Sequence, residues 1–308
     1  MTTFIQAGTA ARTAVESDPP STTEPASTTE PAGETRPTIE TDLAIDEKNR
    51  FFFDHPLDHV PAMLLLDSAL RAAGQLHRPG DWEPTALRMR FDRFCEKTPP
   101  PRLRVESAPA PGGVRLLNAL VLQSGATVCR AELCLEPTRS ARRPTTEVPD
   151  GAPTGPADPR LVHKRCRKRV LVGPLHDTGA GAFTTRALAP ADHDTRAVHP
   201  LTLLVETARQ AATMVSHTAW GTPPDRQFIV GSLEISLPAD GPWPHRPVLR
   251  CHPHRAHRRD ESVVCELLHG DTPRGRVAFT GRTVPPAAYR RLRAGASHTA
   301  SGHRGEVL

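Results

Sequence analysis

Two carboxylates stand inside runs that are otherwise apolar. Asp67 lies in "LLLDSALRAA" (64–73) and Glu206 in "LLVETARQAA" (203–212). Overlaying the runs puts Asp67 on Glu206, Leu70 on Arg209 and Arg71 on Gln210. At helical spacing Arg209 and Gln210 reach Glu206 from three and four residues away, and Arg71 reaches Asp67 from four. A buried carboxylate is costly unless paired or hydrogen-bonded. Such a group is either an internal ion pair that satisfies the helix or an acid or base whose proton affinity burial tunes. Before the first run stands "DHPLDH" (54–59), where His55 and His59 are titratable near physiological pH or serve as loop caps.

Longer segments must position these groups. "VPAMLLLDSALRAAGQLH" (60–77) and "HPLTLLVETARQAATMVSH" (199–217) read as helices that are apolar nearly all round, so each is buried on several sides. After the first come strand-like stretches at 86–96, 102–107, 114–123 and 126–136. Around the second, strands are expected at 169–175 and 181–187 before it and at 227–238, 247–252, 261–269 and 274–284 after it. Alternating or β-branched strands joined by short turns indicate antiparallel sheets. The expected fold class is α+β, with two tandem hotdog folds. In each, a curved antiparallel sheet wraps a long central helix, and the two form a pseudo-dimer, sheet edge to sheet edge.

The expected organisation has a disordered segment at 1–45, hotdog half one at 46–136 and a linker at 137–160. Half two follows at 161–293 and a tail at 294–308. The opening segment repeats "STTEPA" at 21–26 and 27–32 and has too little apolar surface to offset its ordering entropy.

The net charge of +5 and pI near 9.1 would suit nucleic acid, a membrane surface or an acidic protein. One Tyr and three Trp are too few for a base-stacking platform, so no nucleic-acid partner is expected. The six cysteines form no CxxC, and Cys129 and Cys134 fall on opposite faces of a strand. No apolar run reaches the roughly 18 residues of a membrane span, and no signal peptide is read. The expectation is a cytoplasmic protein with reduced thiols and no membrane partner. "DHPLDH" and "CHPHRAHRR" (251–259) offer metal-ligand types without metal-site spacing.

Several stretches together resemble the A-factor biosynthesis (AfsA) hotdog family. They are "FFFDHPLDHVPAMLLLDSALRAA", "LVHKRCRKRVLV", "HPLTLLVETARQA", "WGTPPDRQFIVGSLEISL" and "FTGRTVPPAAYRRLRAG". The halves stand in the reverse of the family's order, and the arginine of its helix motif is Leu70 in the first copy. The resemblance implies an acyltransferase that joins a β-ketoacyl group, carried as an acyl-carrier-protein thioester, to the hydroxyl of dihydroxyacetone phosphate in γ-butyrolactone signal synthesis. It implies no metal or redox cofactor. Under that reading Glu206, Arg209, Asp67 and His55 are catalytic, with Glu206 as base. His59, Gln210, Arg71, His163 and Lys164 bind substrate, the last two with Arg165 facing the carrier's phosphopantetheine or acidic surface. Backbone amides near Pro61–Met63 or Leu201–Leu203 would polarise the thioester carbonyl. Other readings are an acyl-binding hotdog scaffold without activity, or a hotdog thioesterase or dehydratase. Phe51 stands where dehydratases place a histidine, which weighs against the last.

Overall fold

In a computed structural model, the described residues are 36–78, 80–138, 155–191, 195, 197–238, 246–257 and 260–301. The first half contains β1 (Thr38–Asp42), α1 (Ala62–Leu76), β2 (Trp82–Phe91), β3 (Arg102–Pro109), β4 (Arg115–Gln123) and β5 (Ala126–Pro137). The second contains β6 (His176–Asp177), β7 (Phe183–Arg186), α2 (Pro200–Trp220), β8 (Gln227–Ser236), β9 (Val248–His257), β10 (Asp260–His269), β11 (Thr272–Val284) and α3 (Pro286–Ser301).

All the strands join one antiparallel sheet in the order β1-β3-β4-β5-β2-β8-β11-β10-β9-β7-β6. The first half reads outward from β2 as β5, β4, β3, β1. The second reads outward from β8 as β11, β10, β9, β7, which is the same connectivity with β6 added. The halves therefore meet edge to edge. β2 and β8 pair from Ala86↔Ser236 to Arg90↔Ser232. Along that seam Leu87, Met89, Leu233 and Ile235 point into the core, while Arg88 and Glu234 pair on the outer face at 3.1 Å. Period-two alternation is what lets one strand serve both faces. In β5 it buries Cys129, Ala131, Leu133 and Leu135, while Cys134 faces the other way.

The helices lie against the sheet on their apolar sides. α1 buries Met63 through Asp67, Ala69, Leu70, Ala72 and Ala73. α2 is buried over nearly its whole length and ends at Gly221, whose φ of 59° is a left-handed cap that glycine adopts without a Cβ clash. Truncating a fully buried side chain such as Leu66 or Leu201 to Ala would cost about 2–5 kcal/mol.

Four expectations need correction. β1 lies within the segment read as disordered; residues 1–35 of that segment lie outside the described residues. β1 is an edge strand whose side chains are mostly exposed, so main-chain bonds to β3, not apolar burial, hold it. Leu43 then anchors it in the core. The stretch 169–175 is not a strand. Tight turns at Pro159–Val162 and Arg167–Arg169 lead into irregular chain with one bridge, Val172 to Ala187. The Gln210 side chain replaces the ladder there, accepting from the Leu171 N–H (2.8 Å) and donating to the Arg169 carbonyl (3.0 Å). The end of the expected linker is packed, with Ala157 buried and its N–H bonded to the Val172 carbonyl; residues 139–154 lie outside the described residues. Finally, α3 runs past 293 into the expected tail, of which 302–308 lie outside the described residues.

Candidate active site between the two halves

The two halves enclose a cleft of about 1560 Å³. The loop Phe51–Pro61 and the start of α1 form one wall, and the loop at Arg160–Arg165 with Glu206 and Arg209 of α2 forms another. Tyr289 of α3 and Gly281 of β11 also line it. A Cβ at Gly281 would run into the Ile229 carbonyl, so glycine is required for β11 to approach β8 at this bulge.

Glu206 is 2% exposed and fully engaged. Arg209 grips it with two bonds, Nε to Oε2 at 2.7 Å and Nη2 to Oε1 at 2.9 Å. Lys164 Nζ lies 3.0 Å from Oε1, and Gln210 Nε2 donates to the same oxygen at 3.0 Å. Burial alone would raise this carboxyl, but Arg209, Lys164 and the hydrogen bonds hold it far below the usual carboxylate range. Such a group is a poor proton acceptor at neutral pH, so these surroundings count against the base role expected for Glu206. It fixes two cations instead. Its single charge balances one of them, which leaves net positive charge at the cleft wall. Arg209 also donates to the Val162 carbonyl at 3.5 Å and so ties α2 to the loop carrying His163 and Lys164. Lys164 is thus not a surface group; its side chain is 8% exposed and its ammonium lies 6.0 Å from the Phe51 ring centroid.

The paired position in α1 differs. Asp67 and Arg71 do not line the cleft. Asp67 pairs with Arg71 Nε at 2.5 Å and accepts the His199 N–H at 2.8 Å, which fastens α1 to the entry of α2. His199 in turn caps α2 by accepting the Leu201 N–H through Nδ1 at 3.2 Å. The N-terminus of α2 is therefore closed by the protein itself, so amides at Leu201–Leu203 are not offered to the cleft. α1 has Pro61 at its N-cap and no side-chain cap. The Leu64 and Leu65 N–H groups bond the Pro61 carbonyl, while those of Ala62 and Met63, both lining the cleft, have no partner among the described residues. Identical topology has thus produced one open helix start and one sealed one.

His55 lies in the cleft, half-buried, with no hydrogen bond among the described residues. Burial, joined by the charges of Arg165, Lys164 and Arg209, outweighs Asp54 and lowers its pKa, so the ring is neutral at pH 7. Its neighbour Asp54 is 8% exposed and bridges the halves, accepting the Arg165 N–H and pairing with Arg169 at 2.5 Å. His59 is occupied: Nδ1 lies 2.7 Å from Asp58 and 3.2 Å from the Tyr289 hydroxyl. Burial would raise the Asp58 carboxyl, but His59, Tyr289 and Arg293 pull it down to about 2. Arg293 adds a bidentate grip on Glu96 (2.5 and 2.6 Å), so α3 is pinned onto the first half beside the cleft. Gln210, 0% exposed, braces Glu206 from behind and does not line the cleft. Cys95 does line it, but burial and Glu96 push its thiol up to about 12, which removes it as a nucleophile at neutral pH.

Sequence reasoning missed Asp54 as the clamp between halves, Lys164 as a partner of Glu206, and Tyr289 and Arg293 as anchors. Lys164 meets Glu206 across 42 residues and the others act across more than a hundred, and no spacing rule reaches that far. The signal that was available is the lone Tyr, in "YRRLRAG".

Residues 145–285 match the A-factor biosynthesis hotdog domain. A "2-oxo-3-(phosphooxy)propyl 3-oxoalkanoate synthase" of Streptomyces virginiae is 37% identical over 100 residues, which are 32% of this chain and 33% of that protein. The protein of the same description from Streptomyces griseus is 40% identical over 55 residues, 18% of each chain. The chain thus spans about a third of the length of the first relative and less of the second. Among solved structures, the bifunctional dehydratase-cyclase domain of ambruticin biosynthesis aligns with a TM-score of 0.52 at 16% identity, over 84% of this chain and 93% of that one. The dehydratase domain of the polyketide PpsC from Mycobacterium tuberculosis aligns at 0.51 and 15%, over 80% and 93%. At such identities these likenesses speak for the fold alone. No described helix is long and apolar enough to cross a membrane. The chain has the hotdog fold, and its residues 145–285 are similar to the A-factor biosynthesis hotdog domain.

Proposed function

We propose that this chain transfers a β-ketoacyl group from an acyl-carrier-protein thioester to the hydroxyl of dihydroxyacetone phosphate. One observation carries the reading: a neutral, unpartnered His55 and two uncommitted amides at the start of α1 share one cleft with the Lys164–Glu206–Arg209 cluster. The names of the Streptomyces relatives supply the substrate class.

In this mechanism His55 takes the hydroxyl proton, and the alkoxide oxygen attacks the thioester carbon. The Ala62 and Met63 amides receive the developing oxyanion. The C–S bond then breaks, and the departing thiolate takes the proton back from His55. The products are the ester and the free carrier thiol. Transfer is direct, since Cys95 holds its proton too tightly to form an acyl-enzyme. The net positive wall and Arg165 suit the phosphate, and the apolar wall at Phe51, Met63 and Phe228 suits the acyl chain. The carrier protein would approach the basic rim at Arg160 and Arg165. No metal or redox step is needed.

The test is mass spectrometry of the full chain incubated with a β-ketoacyl carrier-protein thioester, with and without dihydroxyacetone phosphate, beside His55→Gln. The expected result is an acylated phosphate ester that requires the acceptor, with its rate lowered about 10²–10⁴-fold in the variant. Free acid formed without the acceptor would refute transfer in favour of hydrolysis. Acyl-chain binding without turnover would refute catalysis.

A further inference from the structure

Where the loop carrying Lys164 meets the last turn of α2, two histidines meet. His163 Nε2 lies 3.1 Å from His217 Nε2, and the rings are 5.2 Å apart. His217 sits in the last turn of α2, and its Nδ1 lies 2.6 Å from the Thr222 carbonyl oxygen just past the helix cap. That carbonyl is an acceptor only, so Nδ1 of His217 carries a hydrogen. In the neutral ring Nε2 of His217 is then a lone pair and must accept. His163 Nε2 is therefore the donor, and the remaining nitrogen of His163, Nδ1, is a lone pair. The opposite assignment sets two acceptors against each other at 2.6 Å.

His163 lines the cleft, and its Nδ1 has no partner among the described residues. Its backbone is in the left-handed region (φ 54°), unusual for a residue with a Cβ, where it closes the turn Pro159–Val162. The fold thus holds this ring in place at some local cost. Burial, with Arg209, His217 and His55 nearby, lowers its pKa to about 4, so the lone pair persists at neutral pH.

We propose that His217 is a positioning residue: anchored on the Thr222 carbonyl, it fixes the tautomer of His163 so that His163 Nδ1 accepts a hydrogen bond from the acceptor hydroxyl as the acceptor docks, before that hydroxyl turns to His55 for proton removal. This rests on the transferase reading for the identity of the hydroxyl compound, but not for the tautomer. The arrangement gives the site a built-in preference for an acceptor that can donate. A phosphate ester without a free hydroxyl forgoes that hydrogen bond.

The experiment is two-bond ¹H–¹⁵N correlation of the histidine rings in the ¹⁵N-labelled full chain at pH 7, with His163→Phe used for assignment. The expected spectrum has His163 protonated at Nε2 and His217 at Nδ1. In His217→Phe the His163 ring should become a tautomer mixture. In His217→Gln, whose amide can donate to Thr222 and accept from His163, it should not. Adding dihydroxyacetone phosphate should shift His163 Nδ1 in the wild type, while hydroxyacetone phosphate, a phosphate ester that lacks the free hydroxyl, should leave it unmoved. In turnover, His217→Phe should raise KM for the acceptor about tenfold with KM for the thioester unchanged, and His217→Gln should restore most of it. A His163 ring protonated at Nδ1, or a folded His217→Phe with unchanged tautomer, overturns the proposal. So does an Nδ1 signal indifferent to the acceptor. If the wild type makes no ester, the transferase reading fails by itself, and the spectra still decide the histidine pair.

Discussion

Replacing Glu206 by Gln keeps the size of the side chain and removes the one charge that holds the cluster together. Lys164 (8% exposed) and Arg209 (19%) are then left facing each other without a counter-charge. Removing one partner of a buried ion pair costs about 3–5 kcal/mol, because the stranded charge keeps its desolvation penalty. In a chain of this size each kcal/mol lowers Tm by roughly 2 °C, so the loss is about 6–10 °C. Adding Lys164→Met removes one stranded cation, and the double variant should be more stable than the summed single losses predict by about 1–3 kcal/mol. The pH dependence has a definite sign. The Glu206 pKa is lower folded than unfolded, so its contribution is complete above the unfolded value of 4.5 and is lost as pH falls below it. Urea unfolding followed by circular dichroism at pH 7, 6 and 3 therefore measures a gap between wild type and Glu206→Gln. That gap is constant over the first two points and narrower at the third. A gap below about 0.5 kcal/mol at pH 7, the range of an ordinary surface substitution, would refute the cluster as described. So would a gap that persists unchanged to pH 3.

Asp67→Ala should destabilise the fold by about 1–3 kcal/mol through the unsatisfied His199 N–H, seen as a lower urea midpoint, while ester formation in the assay of the proposed reaction should be unchanged in the folded protein because Asp67 lies outside the cleft. His163 is held neutral in the fold, so between pH 6.5 and about 4 the unfolded chain binds more protons. Stability should fall as pH drops through that window, and His163→Phe should flatten the slope. With its thiol pushed up to about 12, Cys95 should react with iodoacetamide at pH 8 far more slowly than a free thiol, which peptide mass spectrometry after timed quenching would measure.

The helices, the antiparallel strands of both halves and the matched carboxylates were legible in the sequence, because each rests on local periodicity. A helix apolar all round announces its own burial, and Arg209 and Gln210 announce themselves as partners of Glu206 by spacing alone. β2–β8 pairing joins two equivalent edges, so the architecture does not depend on which half comes first. β1 and 169–175 were misread for a shared reason. One is held by main-chain bonds that leave no apolar signature, and the other by a single buried glutamine from a distant helix. The division of labour between Asp67 and Glu206 also lay beyond the sequence. Both occupy the same register position, yet one closes a helix start at His199 and the other holds two cations at a cleft wall. What distinguishes them is which segment arrives opposite each, the entry of α2 for Asp67 and the loop of Lys164 for Glu206. Asp54, Lys164 and His217 likewise act on residues brought to them only by folding, so their roles are properties of the tertiary structure, not of any segment.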